Sequence, residues 1–297
     1  MDDWPALPYR DWKATRDTLH MYTQVVGKLR LALSPFEPEW GNVPLYVTAR
    51  GLTTPPVPYG DVAFDAEFDL MGHELVLRVS DGGLERIPLR PRAVADFYSD
   101  VMGALARLGI DVTISAVPSE VAHPVPFAAD REHYSYDPGQ VSRFFQVLSR
   151  VDLVFKEHRA PFVGRTSLVH FFWGSFDLAL TRFSGRRLAP PPGAGTIERY
   201  ASDAEQICVG FWPGNEQHPE AAFFAYAAPR PDGIEAATIR PAAAAWNDQI
   251  GEFLLSYDAV REAPDSRRAI LDFLESTYEA GASRLGWSGD LILNDRP

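Results

Sequence analysis

A single cysteine, Cys208, in 297 residues excludes an internal disulfide and any multi-cysteine zinc or iron–sulfur centre. It sits between Ile207 and Val209 with no thiolate-stabilising neighbour, so it reads as a buried structural thiol. Cations are also scarce: 28 Lys and Arg stand against 40 Asp and Glu, a formal charge of −12. An acidic chain repels phosphate backbones unless it gathers its cations into a patch. The densest basic group, Arg182, Arg186 and Arg187, is too small for that, so no nucleic-acid partner is expected. Long apolar runs are missing as well. Ala221–Ala228 is far short of the roughly 20 residues that a spanning helix needs, so no membrane partner is expected. The opening Met1-Asp2-Asp3-Trp4-Pro5 has no apolar core of a secretory signal, and a cytoplasmic location is the expectation. Neither a Walker nor a Rossmann glycine pattern occurs, nor an HExxH pair, so no nucleotide cofactor is indicated.

What is present is the composition of an ordinary globular chain, 46% hydrophobic and 12% aromatic, with 25 prolines shaping its loops. From Asp11 to Leu33, apolar residues at Leu19, Tyr22, Val26, Leu29 and Leu33 form a helical stripe that Pro35 and Pro38 end. Leu45–Ala49, Val62–Leu70 and Glu74–Val79 alternate as strands, and Asp81-Gly82-Gly83 is a turn. Arg92–Leu108 returns to helical spacing, and Asp111–Ser115 reads as one more strand. After a proline-rich connector, Ala116–Gly139, the order repeats: a helix over Gln140–Arg159, then a strand over Val169–Phe183 with a hairpin at Ser184-Gly185. Strands follow at Gln206–Trp212, Ala222–Ala227 and Glu252–Ser256, then a helix over Asp265–Leu285.

The residues repeat along with the order. Arg92–Tyr98 aligns with Arg268–Leu274 at four identities in seven, and both helices finish in Arg-Leu-Gly. The fold class expected is therefore α+β: two related α–β–β–β–α halves with mainly antiparallel sheets covered by helices. The halves are 1–115 and 140–297, joined by the connector 116–139, with an insertion around 185–240 in the second. Ligand sites favour such junctions.

Several polar strings could carry chemistry. His20, Gln24 and Lys28 fall at i, i+4 and i+8, one ridge opposite the apolar stripe. It is either a solvated face or, under a cleft, an acid–base histidine beside an anion-binding lysine. In His170-Phe171-Phe172-Trp173-Gly174-Ser175-Phe176-Asp177, strand alternation puts Trp173, Ser175 and Asp177 on one face and His170 on the other. That alternation, and the lack of a GxSxG elbow, weigh against a Ser175–His170–Asp177 triad; an aromatic wall anchored by Asp177 fits better, and an ordinary strand buried on both sides better still. In the connector, Glu120 and His123 precede Asp130-x-x-His133. That pair could join His20 or His170 in a two-histidine, one-carboxylate metal site. Arg50, ahead of Gly51, and Arg182 offer guanidinium forks, and Trp212 offers a stacking ring.

Together these strings resemble a bacterial family catalogued as a domain of unknown function, number 5996. The likeness lies in Thr18-Leu19-His20, Thr23-Gln24, Gly27-Lys28, Pro44-Leu45-Tyr46, Arg50–Thr54, Pro58-Tyr59-Gly60 and Pro126-Phe127 with Asp130 and His133. It continues through His170–Asp177, Thr181–Arg186 and Gly210–Gly214. The resemblance implies no activity, but it implies that these polar positions belong to the family pattern, whereas Cys208 and His218 fall outside the matching segments.

The function expected is binding of a small anionic metabolite in a pocket between the halves, with histidine acid–base chemistry from His20, Asp130, His133 and His170. Gln24, Lys28, Arg50, Trp173, Asp177, Arg182 and Trp212 would bind the ligand. The alternatives are a ligand sensor or assembly module without catalysis, which could include a homo-oligomer, and a metal-dependent enzyme with a His/carboxylate site.

Overall fold

The computed structural model describes residues 4–190 and 192–293. They form an α+β protein whose two antiparallel six-stranded sheets each lie between helices that precede and follow them in the chain. The first pass runs α1 (Tyr9–Leu33), β1 (Tyr46–Val47), β2 (Gly51–Thr53), β3 (Val57–Tyr59), β4 (Val62–Asp69), β5 (Glu74–Val79), β6 (Leu84–Pro88) and α2 (Val94–Arg107). The second runs α3 (Pro138–Arg159), β7 (His170–Phe172), β8 (Asp177–Arg187), α4 (Thr196–Ala201) and β9 (Ala204–Trp212). It continues through β10 (Ala222–Ala228), β11 (Ala245–Asn247), β12 (Glu252–Ser256), α5 (Tyr257–Arg261) and α6 (Ser266–Arg284).

The first sheet is ordered β1-β2-β4-β5-β6, with β3 also on β4, and the second β11-β12-β10-β9-β8-β7. Phe64, Ala66 and Phe68 of β4 and Leu75 and Leu77 of β5 point to the helices, and so do Leu178 and Leu180 of β8 and Val209 and Phe211 of β9. All join one core with Leu19, Tyr22, Val26 and Leu29 of α1. Leu45 and Phe171 exchange two backbone hydrogen bonds of 2.9 Å, which ties the first sheet's edge to the second's. Among the described residues no helix is long and apolar enough to cross a membrane.

Three local expectations need correction. Asp111–Ser115 is extended and buries Val112 and Ile114, but among the described residues it pairs with no strand. The stretch 169–183 is not one strand. The reversal comes at Trp173–Phe176, where Phe172 pairs with Asp177 and Phe176 itself takes a positive φ of 61°. Ser184-Gly185 makes no hairpin, because β8 runs on to Arg187 through a register shift between Phe183 and Arg187. Here the glycine supplies a bulge, with a φ of 92°.

Candidate functional site

In the second sheet β9, the first part of β8 and the first part of β10 are buried on both faces. On the side away from α3 and α6, Asp177, Ala179 and Thr181 of β8 lie beside Cys208 of β9, with Phe224 and Tyr226 of β10 next in register. Gly210 has no side chain, and the Phe224 ring lies across it; a Cβ there would stand 2.0 Å from that ring. These residues floor a cavity of about 530 Å³. Phe172, Trp173 and Ser175 wall it on one side, Ser119 and Glu120 of the connector and Trp40 on others, and Thr196, Ile197 and Ala201 of α4 form its rim. The indole N–H of Trp40 donates to the Ile197 carbonyl at 2.9 Å, which holds that rim to the first half.

The α1 ridge builds the wall behind the cavity. His20, Gln24 and Lys28 are all buried. The His20 Nε2 lies 2.9 Å from both the Trp173 and Gly174 carbonyls, so this nitrogen carries the proton and clamps the β7–β8 turn. Gln24 brackets Ser119, donating to its carbonyl and accepting from its N–H at 2.8 Å each. Lys28 donates to the Ser119 hydroxyl at 2.9 Å and lies over the Trp173 ring. Trp173 lies flat on Gly27, where a Cβ would be 2.2 Å from the indole, and its N–H donates to the Val43 carbonyl.

Burial sets the protonation states. Desolvation, with Arg16 adding to it, pulls His20 down to about 3, so this imidazole is neutral at ordinary pH and serves as a structural donor. Lys28 is lowered by burial. The carboxyl groups go the other way. Asp177 is 7% exposed, accepts from the Ser175 hydroxyl, and is pushed up to about 7 by burial, with the charge of Glu120 adding to it. Burial raises Glu120, whose carboxyl lies over Gly174 close enough to occupy a Cβ position. Glu252, on β12, is raised to about 7 by burial and then by Asp177. The Cys208 thiol is pushed to about 12 by burial, so it adds polarisable surface and no nucleophile. A buried carboxyl poised near neutrality on a cavity wall can take or give a proton under ordinary conditions.

The remaining sequence candidates are not brought here. Asp130 and His133 pair with each other at 2.8 Å beside the start of α2, where their carbonyls accept from Ala95 and Val94. This raises His133, while in Asp130 burial is outweighed by hydrogen bonds from His133 and the backbone, so the pair anchors a loop. His170 lies on the same sheet face as Asp177, because the strand reverses at Trp173–Phe176 and the register pairs His170 with Ala179 and Phe172 with Asp177, which overturns the expected alternation. It packs edge-on to Tyr46 and Phe172 with its pKa lowered to about 4 by burial. Among the described residues no hydrogen bond joins it to Ser175, whose hydroxyl goes to Asp177. The triad is therefore not assembled. Arg50 is ion-paired to Asp69 at 2.6 Å. Arg182 donates to the His158 carbonyl and stacks between Phe162 and Tyr278 on the opposite sheet face, and burial lowers it to about 10. Trp212 stacks on Phe224 beside the cavity without lining it. Among the described residues no Lys, Arg or His side chain lines the cavity, so the expected grip on negative charge is not found there. Among the described residues no three His, Cys, Asp or Glu groups could hold a metal ion, and the Asp130–His133 turn does not join His20 or His170.

Sequence reasoning passed over Tyr226, Ser119 and Trp40, and set Cys208 aside as structural. The continuous apolar run Ala221–Ala228 was the available signal, since a strand without alternation is covered on both faces.

A family model described as "Family of unknown function (DUF5996)" matches residues 4–293. No curated protein and no solved structure matches the chain.

Proposed function

The chain belongs to the DUF5996 family, and since a family of unknown function supplies no chemistry of its own, we propose a function from the cavity: it binds a small organic molecule there, and Asp177 exchanges a proton with that molecule. One observation carries the reading. The Asp177 carboxyl is buried on the cavity floor, it pairs with the Ser175 hydroxyl, and no cation among the described residues neutralises it. Burying a carboxyl this way costs stability, and such groups concentrate at functional sites. The volume suits a small metabolite, and aromatic rings give it broad apolar contact.

In this reading the acid–base group is a carboxyl and the histidine is its support. His20 holds the Trp173–Gly174 carbonyls, so the turn that carries Ser175 keeps its place beside Asp177. Gln24 and Lys28 do the same for Ser119. Carbon-13 carboxyl NMR tests the assignment. Asp177, identified by its absence in Asp177→Asn, should titrate near pH 7 and shift when a ligand enters. A carboxyl that titrates in the ordinary range near pH 4, with no response to any small molecule that protects the protein thermally, would overturn it.

A further inference from the structure

We infer that the occupant of this cavity is a small organic cation, a ring-bearing or otherwise apolar body with a protonated amine; the inference rests on the cavity being the binding site proposed above. Its lining has two chemical components. Aromatic rings come from Trp40, Phe172, Trp173, Phe224 and Tyr226. Carboxyl groups come from Glu39, Glu120 and Asp177, and among the described residues no basic side chain contributes.

The state of those carboxyls matters more than their number. Glu39, at the rim, is neutralised by both guanidinium nitrogens of Arg165, at 2.7 and 3.0 Å. Glu120 and Asp177 have no ion pair among the described residues, although most acids on this protein's surface do. The charge of Glu120 acts on Asp177, and that of Asp177 on Glu252. An anion placed here would meet unpaired carboxylates in a medium that screens little. An ammonium would relieve the repulsion, and the faces of the surrounding rings attract positive charge as well. Lys28 does not play this part: it donates to the Ser119 hydroxyl and, among the described residues, pairs with neither Glu120 nor Asp177.

Three probes that share a ring and short chain but differ in charge separate the possibilities: 2-phenylethylamine, 2-phenylethanol and phenylacetate. Binding to the full chain is followed by calorimetry and by tryptophan fluorescence, since Trp40 and Trp173 line the cavity. At pH 8 the amine should bind at least tenfold more tightly than the alcohol, with phenylacetate weakest. At pH 5.5, where Asp177 is protonated and Glu120, Glu252, Cys208 and Tyr226 add no positive charge, the preference should shrink to threefold or less. Asp177→Asn should remove the preference while leaving the alcohol's affinity within threefold, and Glu120→Gln provides a second variant should the first fail to fold. If the alcohol or phenylacetate binds as tightly as the amine at pH 8, the cation is wrong and the cavity stands. If none of the three perturbs the fluorescence or the Asp177 resonance at millimolar concentration, the binding site itself is wrong.

Discussion

Each sheet turns one face to its helices and one face away, and the two outward faces have opposite chemistry. On the first sheet, Asp65 and Glu67 of β4 meet Arg78 of β5 at 2.9 and 2.7 Å, and Glu74 of β5 meets Arg86 of β6. Every charge in that row has a partner, and water covers it. On the second sheet the corresponding face carries Asp177, Thr181, Cys208, Phe224 and Tyr226, roofed by connector residues and α4. The first face could be left solvated because its charges are paired. The second was closed over with its carboxyls unpaired, which is costly in an empty protein and useful in one that takes a charged or hydrogen-bonding guest.

The largest expected effect sharpens that contrast. Asp177 has a folded pKa of about 7, against the roughly 3.9 of an exposed aspartate. The folded state therefore holds the proton more tightly than the unfolded chain. Its contribution is fully present below about pH 4, falls as pH rises through about 7, and is gone above that, a swing of roughly 4 kcal/mol. Wild-type urea midpoints should drop from pH 4.5 to pH 8, whereas Asp177→Asn should be flatter by about 3 kcal/mol, the part of the swing that lies between those two pH values. Parallel profiles would mean that the carboxyl is neither as buried nor as unpaired as the geometry makes it.

The first face was more legible in the sequence than the second, and the reason is physical. A half-solvated strand writes its alternation into the chain, as β4 and β5 do, and the apolar stripe of α1 does likewise at period 3.6. The ridge His20, Gln24, Lys28 was visible too, but its purpose was not. Gln24 bonds Ser119, 95 positions away, and His20 bonds Trp173, 153 positions away, and local spacing holds no record of what covers a helix face. The reversal at Trp173–Phe176 was missed because the residue with positive φ is a phenylalanine, where turn chemistry looks for glycine or asparagine. The candidates that dispersed, such as Asp130–His133 and Arg50, are polar groups that found partners within a few residues or on the next strand. From sequence, such groups are indistinguishable from groups awaiting a ligand.

Filling the covered face should have the next largest effect. A Cβ on Gly210 would stand 2.0 Å from the Phe224 ring and 2.5 Å from the Leu178 carbonyl oxygen, and the latter is backbone that cannot swing aside. Gly210→Val should cost about 3 kcal/mol of stability through overpacking and push Phe224 into the cavity. Probe binding should fall with it. A variant as stable as wild type that still binds would show that the floor is looser than described.

The smallest effect belongs to the solvated face. Arg78 is held by Glu67 first and Asp65 second, and these partners raise its pKa, yet 44% of its side chain remains exposed. Water and salt screen such a pair, so Arg78→Gln should cost only about 0.5–1 kcal/mol, shrinking further in 0.5 M salt. A double-mutant cycle with Glu67→Gln isolates the coupling. Its value should stay under about 1 kcal/mol, and the pH profile between 5 and 8 should remain that of the parent. A coupling of several kcal/mol would place this face in a low-dielectric setting like the cavity's, and the contrast between the two sheets would no longer rest on water.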